Sequence, residues 1–278
     1  MKKRIRDYGI RIGDHPAGAL NKLTDVPGVR VGHYTVDTEE HKTGVTVILP
    51  CEENIFASRL TAAAFVHNGF GKTAGIPQIE ELGTLESPIA LTNTLNVGKV
   101  HDALVDYMVE QCERDGVELT SMNPVVGECN DASLNKITER VIGIPEVRAA
   151  IDGACRDFEE GDVGAGKGTT CFGMKGGIGS ASRLVELDGK NYTIGSLVLS
   201  NHAMFDDLIV GGTPIQQLLE AHIPPHEDKG SIITVLATDI PLSERQLRRL
   251  CHRALVGLSR TGSYCGNGSG EIVLAFTT

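Results

Sequence analysis

The feature that most constrains the fold is the run Ser231-Ile-Ile-Thr-Val-Leu-Ala237, an apolar, β-branched stretch with no polar alternation. A run of this kind reads as a strand covered on both faces, so the chain must supply a layer above it and a layer below it. Immediately before it stands Gly230-Ser231, and before that Ile223-Pro224-Pro225-His226-Glu227-Asp228-Lys229, which cannot be regular structure. Loop, Gly-Ser, then core strand is the order expected if Ser231 is a nucleophile set free by cutting the bond before it. Without a Cβ at position 230, the Ser231 hydroxyl could reach the carbonyl of that residue. Taken alone, the same pair is an ordinary loop-to-strand junction.

Other runs fall around this strand. Val45–Leu49, Ala62–Val66 and Ile89–Thr92 read as strands, with a polar, glycine-punctuated segment Asn68–Ser87 between the last two. Val97, Val100, Leu104, Met108 and Cys112 recur at helical spacing, and a second helix is expected from Pro145 through Phe158. A glycine-dense stretch, Gly161 to Gly179, leads into strands over Leu184–Leu187 and Tyr192–Leu199. Thr213-Pro214 reads as cap and first turn of a third helix carrying Ile215, Leu218, Leu219 and His222. Ser243-x-x-Gln246 is a capping box opening a helix with Leu247, Leu250, Cys251, Ala254, Leu255 and Leu258 as its stripe. A last strand spans Ile272–Phe276, and residues 1–35 read as coil. Strands, then single-stripe helices, then strands again predict an α+β, layered αββα chain. With no Pro/Ser-rich linker and no internal repeat, residues 1–278 are expected to form a single domain.

Composition narrows the partners. A net charge of −10 argues against nucleic acid or an anionic membrane, and no apolar run approaches the 18 residues of a membrane span. Glycine is 33 of 278 residues, about 12% against a typical ~7%, and it falls between apolar runs, as turns do. Seven cysteines without a CxxC pair suit a reducing compartment, and no apolar h-region follows the basic N-terminus, so a cytoplasmic protein is expected.

Several familiar motifs fail. Gly161 to Gly168 resembles a phosphate loop, but Gly168 stands where a Ser or Thr should hold magnesium, and an acidic helical segment precedes it. Gly71-Lys72-Thr73 lacks the upstream glycine. The nine histidines form no HExxH or other metal-ligand spacing, and there is no GxSxG elbow, so neither a metal nor a cofactor is expected.

Six segments together resemble one family. Asp25 to His33, Pro88 to Thr94, Pro124 to Glu128, Gly173 to Arg183, Gly230 to Val235 and Gly262 to Phe276 are similar, in order, to the L-aminopeptidase/D-Ala-esterase/amidase and β-peptidyl aminopeptidase family. The resemblance spans nearly the whole chain. It implies a four-layer αββα sandwich like that of N-terminal-nucleophile hydrolases, self-cleavage into 1–230 and 231–278, and a homotetramer of the cleaved heterodimers. It also implies a small peptide, amide or ester substrate from which a small N-terminal residue is released.

The resemblance assigns roles residue by residue. Ser231 becomes the nucleophile, Ser269 and Glu271 its supporting pair, Asn201 the oxyanion amide, and Glu128 the group that holds the substrate's free amine. After cleavage the Ser231 α-amine, with a reference pKa of ~7.7–8.0, is a base near working pH. Ser269 and Glu271 stand at i and i+2, so in an extended strand both side chains share a face. Apart from the resemblance, Ser269 reads as a turn residue, Glu271 as a solvated strand end, Asn201 as a turn former and Glu128 as a solvated loop carboxylate. Asn130, expected with Glu128 on the substrate-binding side, is where the chain departs from the family: members active on short peptides often carry Tyr there, so Asn201 and backbone N–H groups are left to hold the oxyanion. Cys129, beside Glu128, has no basic sequence neighbour to activate its thiol. Two other readings stay open: a non-peptidase amidohydrolase acting on ω-amino amides or oligomers, and an uncleaved, inactive binding homologue.

Overall fold

The computed structural model describes residues 3–218 and 230–278. Six strands come in the first half: β1 (Arg30–Asp37), β2 (Lys42–Leu49), β3 (Leu60–Gly69), β4 (Thr84–Leu85), β5 (Ile89–Asn93) and β6 (Val125–Cys129). The second half adds two short hairpins, β7 (Thr170–Cys171) with β8 (Met174–Lys175) and β11 (Ile209–Val210) with β12 (Thr213–Pro214). It also adds the long pair β9 (Gly177–Leu187) and β10 (Lys190–Asn201), then β13 (Ser231–Thr238) and β14 (Gly270–Thr277). The helices are α1 (Ile76–Leu82), α2 (Val97–Asp115), α3 (Ile144–Asp152) and α4 (Glu244–Ser259).

Two sheets carry the architecture, in the orders β1-β2-β5-β6 and β4-β3-β14-β13-β10-β9. Each contains one parallel pair, β5 with β6 and β13 with β14. A parallel pair needs a crossover, and α2 and α4 supply the two. Side chains alternate along these strands, and both faces are covered. Ile233, Val235 and Ala237 of β13 and Ile272, Leu274 and Phe276 of β14 point into one core. Ile48, Ile89, Leu91, Val125 and Cys129 of the smaller sheet meet them there. On the far side of the smaller sheet, Val45, Val47 and Ala90 pack on Val100, Ala103 and Leu104 of α2 and Val147, Ala150 and Ile151 of α3. On the far side of the larger sheet, Ala63, Val273 and Ala275 pack on Leu247 and Cys251 of α4. Helices, sheet, sheet, helix: the order is the αββα sandwich expected. Both faces of β13 and β14 are buried, which is why their sequences run apolar without a break.

Several elements differ from the sequence reading. Residues 1–35 are not all coil, because β1 starts at Arg30. Its exposed hairpin end, from Tyr34 to Asp37, dilutes the apolar signal. Glu128, which apart from the resemblance reads as a loop carboxylate, stands on a fully buried strand, Val125–Cys129. The glycines at 177 and 179 lie inside β9 rather than in a connection. The second helix stops at Asp152, ahead of Gly153, so Phe158 lies outside it. Around Thr213 there is no helix start but the hairpin strand β12 and a single 3-10 turn, Ile215–Gln217. Leu219 and His222 lie outside the described residues, as does the run 223–229. The capping box at Ser243 is present, with its backbone N–H donating to the Gln246 side chain at 2.9 Å.

Candidate active site

The larger sheet brings three strand ends together. Ser231, the first residue of β13, pairs with Asn201 at the end of antiparallel β10 and with Gly270 at the start of parallel β14. Ser231 is only 7% exposed. The Gly270 N–H donates to its Oγ at 3.2 Å. Gly270 is flanked in the chain by Ser269 and Glu271, both buried, and the Ser269 hydroxyl donates to Glu271 Oε1. Ser269 itself precedes the strand. It closes a turn through its N–H to the Gly266 carbonyl (2.9 Å), and Asn68 of β3 pins that carbonyl at 2.8 Å. The hydroxyl and the carboxylate therefore contact each other, although only Glu271 lies in β14. Glu271 is 1% exposed, not a solvated strand end.

Asn201 is buried, and its Oδ1 accepts the Thr170 N–H at 2.9 Å. That bond fixes which end of the amide is oxygen and leaves Nδ2–H as the donor end. Thr170 belongs to the β7–β8 hairpin, so a short accessory element orients the amide at the end of β10. Gly230 packs directly against the same strand end. A Cβ built there would lie 1.9 Å from the Asn201 carbonyl oxygen and 2.5 Å from His202 Cα, so only glycine fits between.

Glu128 sits on β6, 3% exposed, with Oε1 accepting the Lys72 N–H at 3.0 Å and Oε2 accepting the Thr94 hydroxyl. It is a buried carboxylate rather than a loop residue in water. Among the described residues no ion pair is recorded for it. The turn at Phe70–Gly71 relates it to Ser231. A Cβ on Gly71 would be 3.4 Å from Glu128 Oε1, while one on Gly270 would be 2.8 Å from the Phe70 carbonyl and 3.2 Å from Ser231 Oγ. Next in sequence, Cys129 donates its thiol to the Ser231 carbonyl (3.2 Å) and the Leu199 carbonyl (3.5 Å). Burial, then the Glu128 charge, pushes that thiol well above its ordinary pKa, so it is a structural tie between the sheets and not a nucleophile. Asn130 is exposed, and its Oδ1 turns back to the Ala132 N–H at 2.9 Å. It forms a local turn, and no described hydrogen bond joins it to Ser231 or Asn201. The partners that place Asn201 and Glu128 (Thr170, Lys72, Thr94) were missed from sequence. Two of them act through backbone N–H groups, which leave no residue signature.

Residues 21–278 match the model of peptidase family S58. The chain belongs to that family. It is therefore an aminopeptidase-family hydrolase acting on peptide bonds. A crystal structure of a Pyrococcus horikoshii OT3 protein superposes with a TM-score of 0.93 at 48% identity, covering 99% of this chain and 79% of that one. The L-aminopeptidase D-Ala-esterase/amidase of Ochrobactrum anthropi, described as a prototype for the serine aminopeptidases and a new variant of the Ntn hydrolase fold, gives 0.91 at 38% identity over 99% of this chain and 78% of that one. The β-peptidyl aminopeptidase BapA of Sphingosinicella xenopeptidilytica is 37% identical over 99% of this chain and 73% of its own length. The family and the sandwich fold expected from the six segments are thus both found. No helix among the described residues is long and apolar enough to cross a membrane.

Proposed function

We propose that this S58-family chain matures by cutting its own 230–231 bond and then works as a serine aminopeptidase on short peptides, amides or esters. The observation that carries the reading is the alignment of Asn201, Ser231 and Gly270 at one sheet end, with the Ser269–Glu271 pair beside it. In maturation Ser231 Oγ attacks the Gly230 carbonyl carbon, and the acyl group moves from nitrogen to oxygen. Water then hydrolyses the ester, leaving the Gly230 carboxylate and a free α-amine on Ser231. In turnover that amine takes the Oγ proton as Oγ attacks the substrate carbonyl, and returns it to the leaving amine; water releases the acyl group. The Asn201 Nδ2–H donates to the oxyanion, and the Ser269–Glu271 pair holds the nucleophile's protons in order. Glu128, buried without a cationic partner among the described residues, receives the substrate ammonium. The working unit is a cytoplasmic tetramer of cleaved heterodimers that releases a small N-terminal residue, and relatives named β-peptidyl aminopeptidases support removal from the N-terminus.

The test is a pair of substrates differing only in an N-acetyl cap. Turnover of the free-amine peptide and loss of turnover on the capped one is the expected result. Comparable kcat/KM on both would overturn the exopeptidase reading and favour an endo-acting amidase.

A further inference from the structure

The glycine-dense stretch whose sequence resembles a phosphate loop presents carbonyls to a cation instead. Lys175, on β8, donates from Nζ to the carbonyls of Gly166, Thr169 and Gly176, each at 2.8 Å. That is one acceptor for each N–H of an ammonium. The Thr169 carbonyl also accepts the Gly176 N–H at 2.9 Å. Phe172 and Gly173 join β7 to β8, both at positive φ (51° and 68°), as a two-residue hairpin turn requires, and the register sets Lys175 opposite Thr170. The Phe172 N–H donates to the His202 carbonyl at 2.9 Å, which ties this turn to the end of β10.

The Thr169 carbonyl and the Thr170 N–H are the two ends of one peptide group, and that N–H is the donor that orients Asn201 through Oδ1 at 2.9 Å. A charged donor on an amide oxygen draws electron density from the nitrogen and strengthens its N–H as a donor. The effect repeats in the next amide: a stronger bond at Asn201 Oδ1 makes its Nδ2–H more positive. Two amide groups thus stand in series between the Lys175 ammonium and Asn201 Nδ2–H, at the strand end paired with Ser231. We propose that Lys175 is a positioning residue for catalysis: through the Thr169–Thr170 peptide its ammonium fixes and polarises the Asn201 amide for the oxyanion. No proton passes along the series; only the charge distribution shifts. The inference rests on the oxyanion role proposed for Asn201.

A double-mutant cycle tests it, with steady-state kinetics counted per cleaved chain and thermal unfolding of each variant alongside. Lys175 is exposed, so its replacement leaves the core intact. Lys175→Met should lower kcat about 5–10-fold with KM little changed, a fraction of the 10²–10³ expected on removing the Asn201 amide itself. In an Asn201→Ala background the same substitution should cost no further kcat, because the amide it acts through is gone. Lys175→Arg, which keeps the charge, should retain more kcat than Lys175→Gln, which keeps a donor without it; this pair decides the matter should methionine disturb the hairpin. An unchanged kcat in Lys175→Met beside a loss in Asn201→Ala overturns the proposal alone, as do fully additive losses or equal losses in Lys175→Arg and Lys175→Gln. An unchanged kcat in Asn201→Ala overturns the oxyanion reading and the proposal with it.

Discussion

Asn201 owes its orientation to one backbone donor, the Thr170 N–H, and this leaves Nδ2 as a donor at the strand end where Ser231 begins. A donor held in place before the charge develops is worth most in the transition state. Asn201→Ala is therefore expected to lower kcat by roughly 10²–10³ with a smaller change in KM. Steady-state kinetics decides: loss confined to KM would place Asn201 in substrate binding. At this scale the sequence was legible only through the family resemblance. Ser231, Asn201, Ser269, Glu271 and Glu128 could each be quoted from the motifs, but their burial could not. Bare residue types favoured a solvated Glu128 and Glu271, because a carboxylate is seldom buried unless partners out of sequence view hold it. For Glu128 those partners are Lys72 and Thr94; for Glu271 the partner, Ser269, is close in sequence, but the burial of the pair is not visible there.

Among the elements, β13 and β14 matter most, since the 231–278 segment contributes both to the middle of the larger sheet. Phe276, 1% exposed, fills the core between the sheets. Phe276→Ala should cost about 3–5 kcal/mol of stability in denaturant unfolding, because the vacated volume cannot collapse between two sheets. Leu218→Ala, at a residue 66% exposed, should stay within about 0.5 kcal/mol. Among the elements read correctly from sequence, those with one dominant signal stood out: continuous apolar runs for β2, β3, β5, β13 and β14, helical spacing for α2, a capping box for α4. β6 failed because Gly127 and Glu128 interrupt its apolar run. The helix expected after Thr213 failed because a cap and a proline are equally at home in a tight hairpin.

For the whole molecule, two consequences follow from how the layers are joined. His33 of β1 lies against Thr46 of β2 (Nδ1 to Oγ1, 2.9 Å) and donates Nε2–H to the Glu159 carbonyl at 3.0 Å. Burial lowers its pKa from 6.5 to about 4. The folded chain thus takes up that proton less readily than the unfolded one. The stability concerned is fully present above pH 6.5 and is lost as pH falls towards 4, by about 3 kcal/mol at most. Thermal unfolding between these pH values should show a shallower acid slope in His33→Gln than in the wild type; identical slopes would remove His33 from the acid response. The second consequence concerns the chain itself. With β13 hydrogen-bonded between β10 and β14, a cut before Ser231 would leave both pieces in one sheet, inseparable without denaturant. Denaturing electrophoresis with N-terminal sequencing of the purified protein is the most direct measurement of whether Ser231 is such a nucleophile. Two fragments are predicted, residues 1–230 and the 48 residues from 231 to 278, the second beginning Ser-Ile-Ile-Thr, with Ser231→Ala remaining one inactive chain. A fully active enzyme that stays a single chain would contradict it.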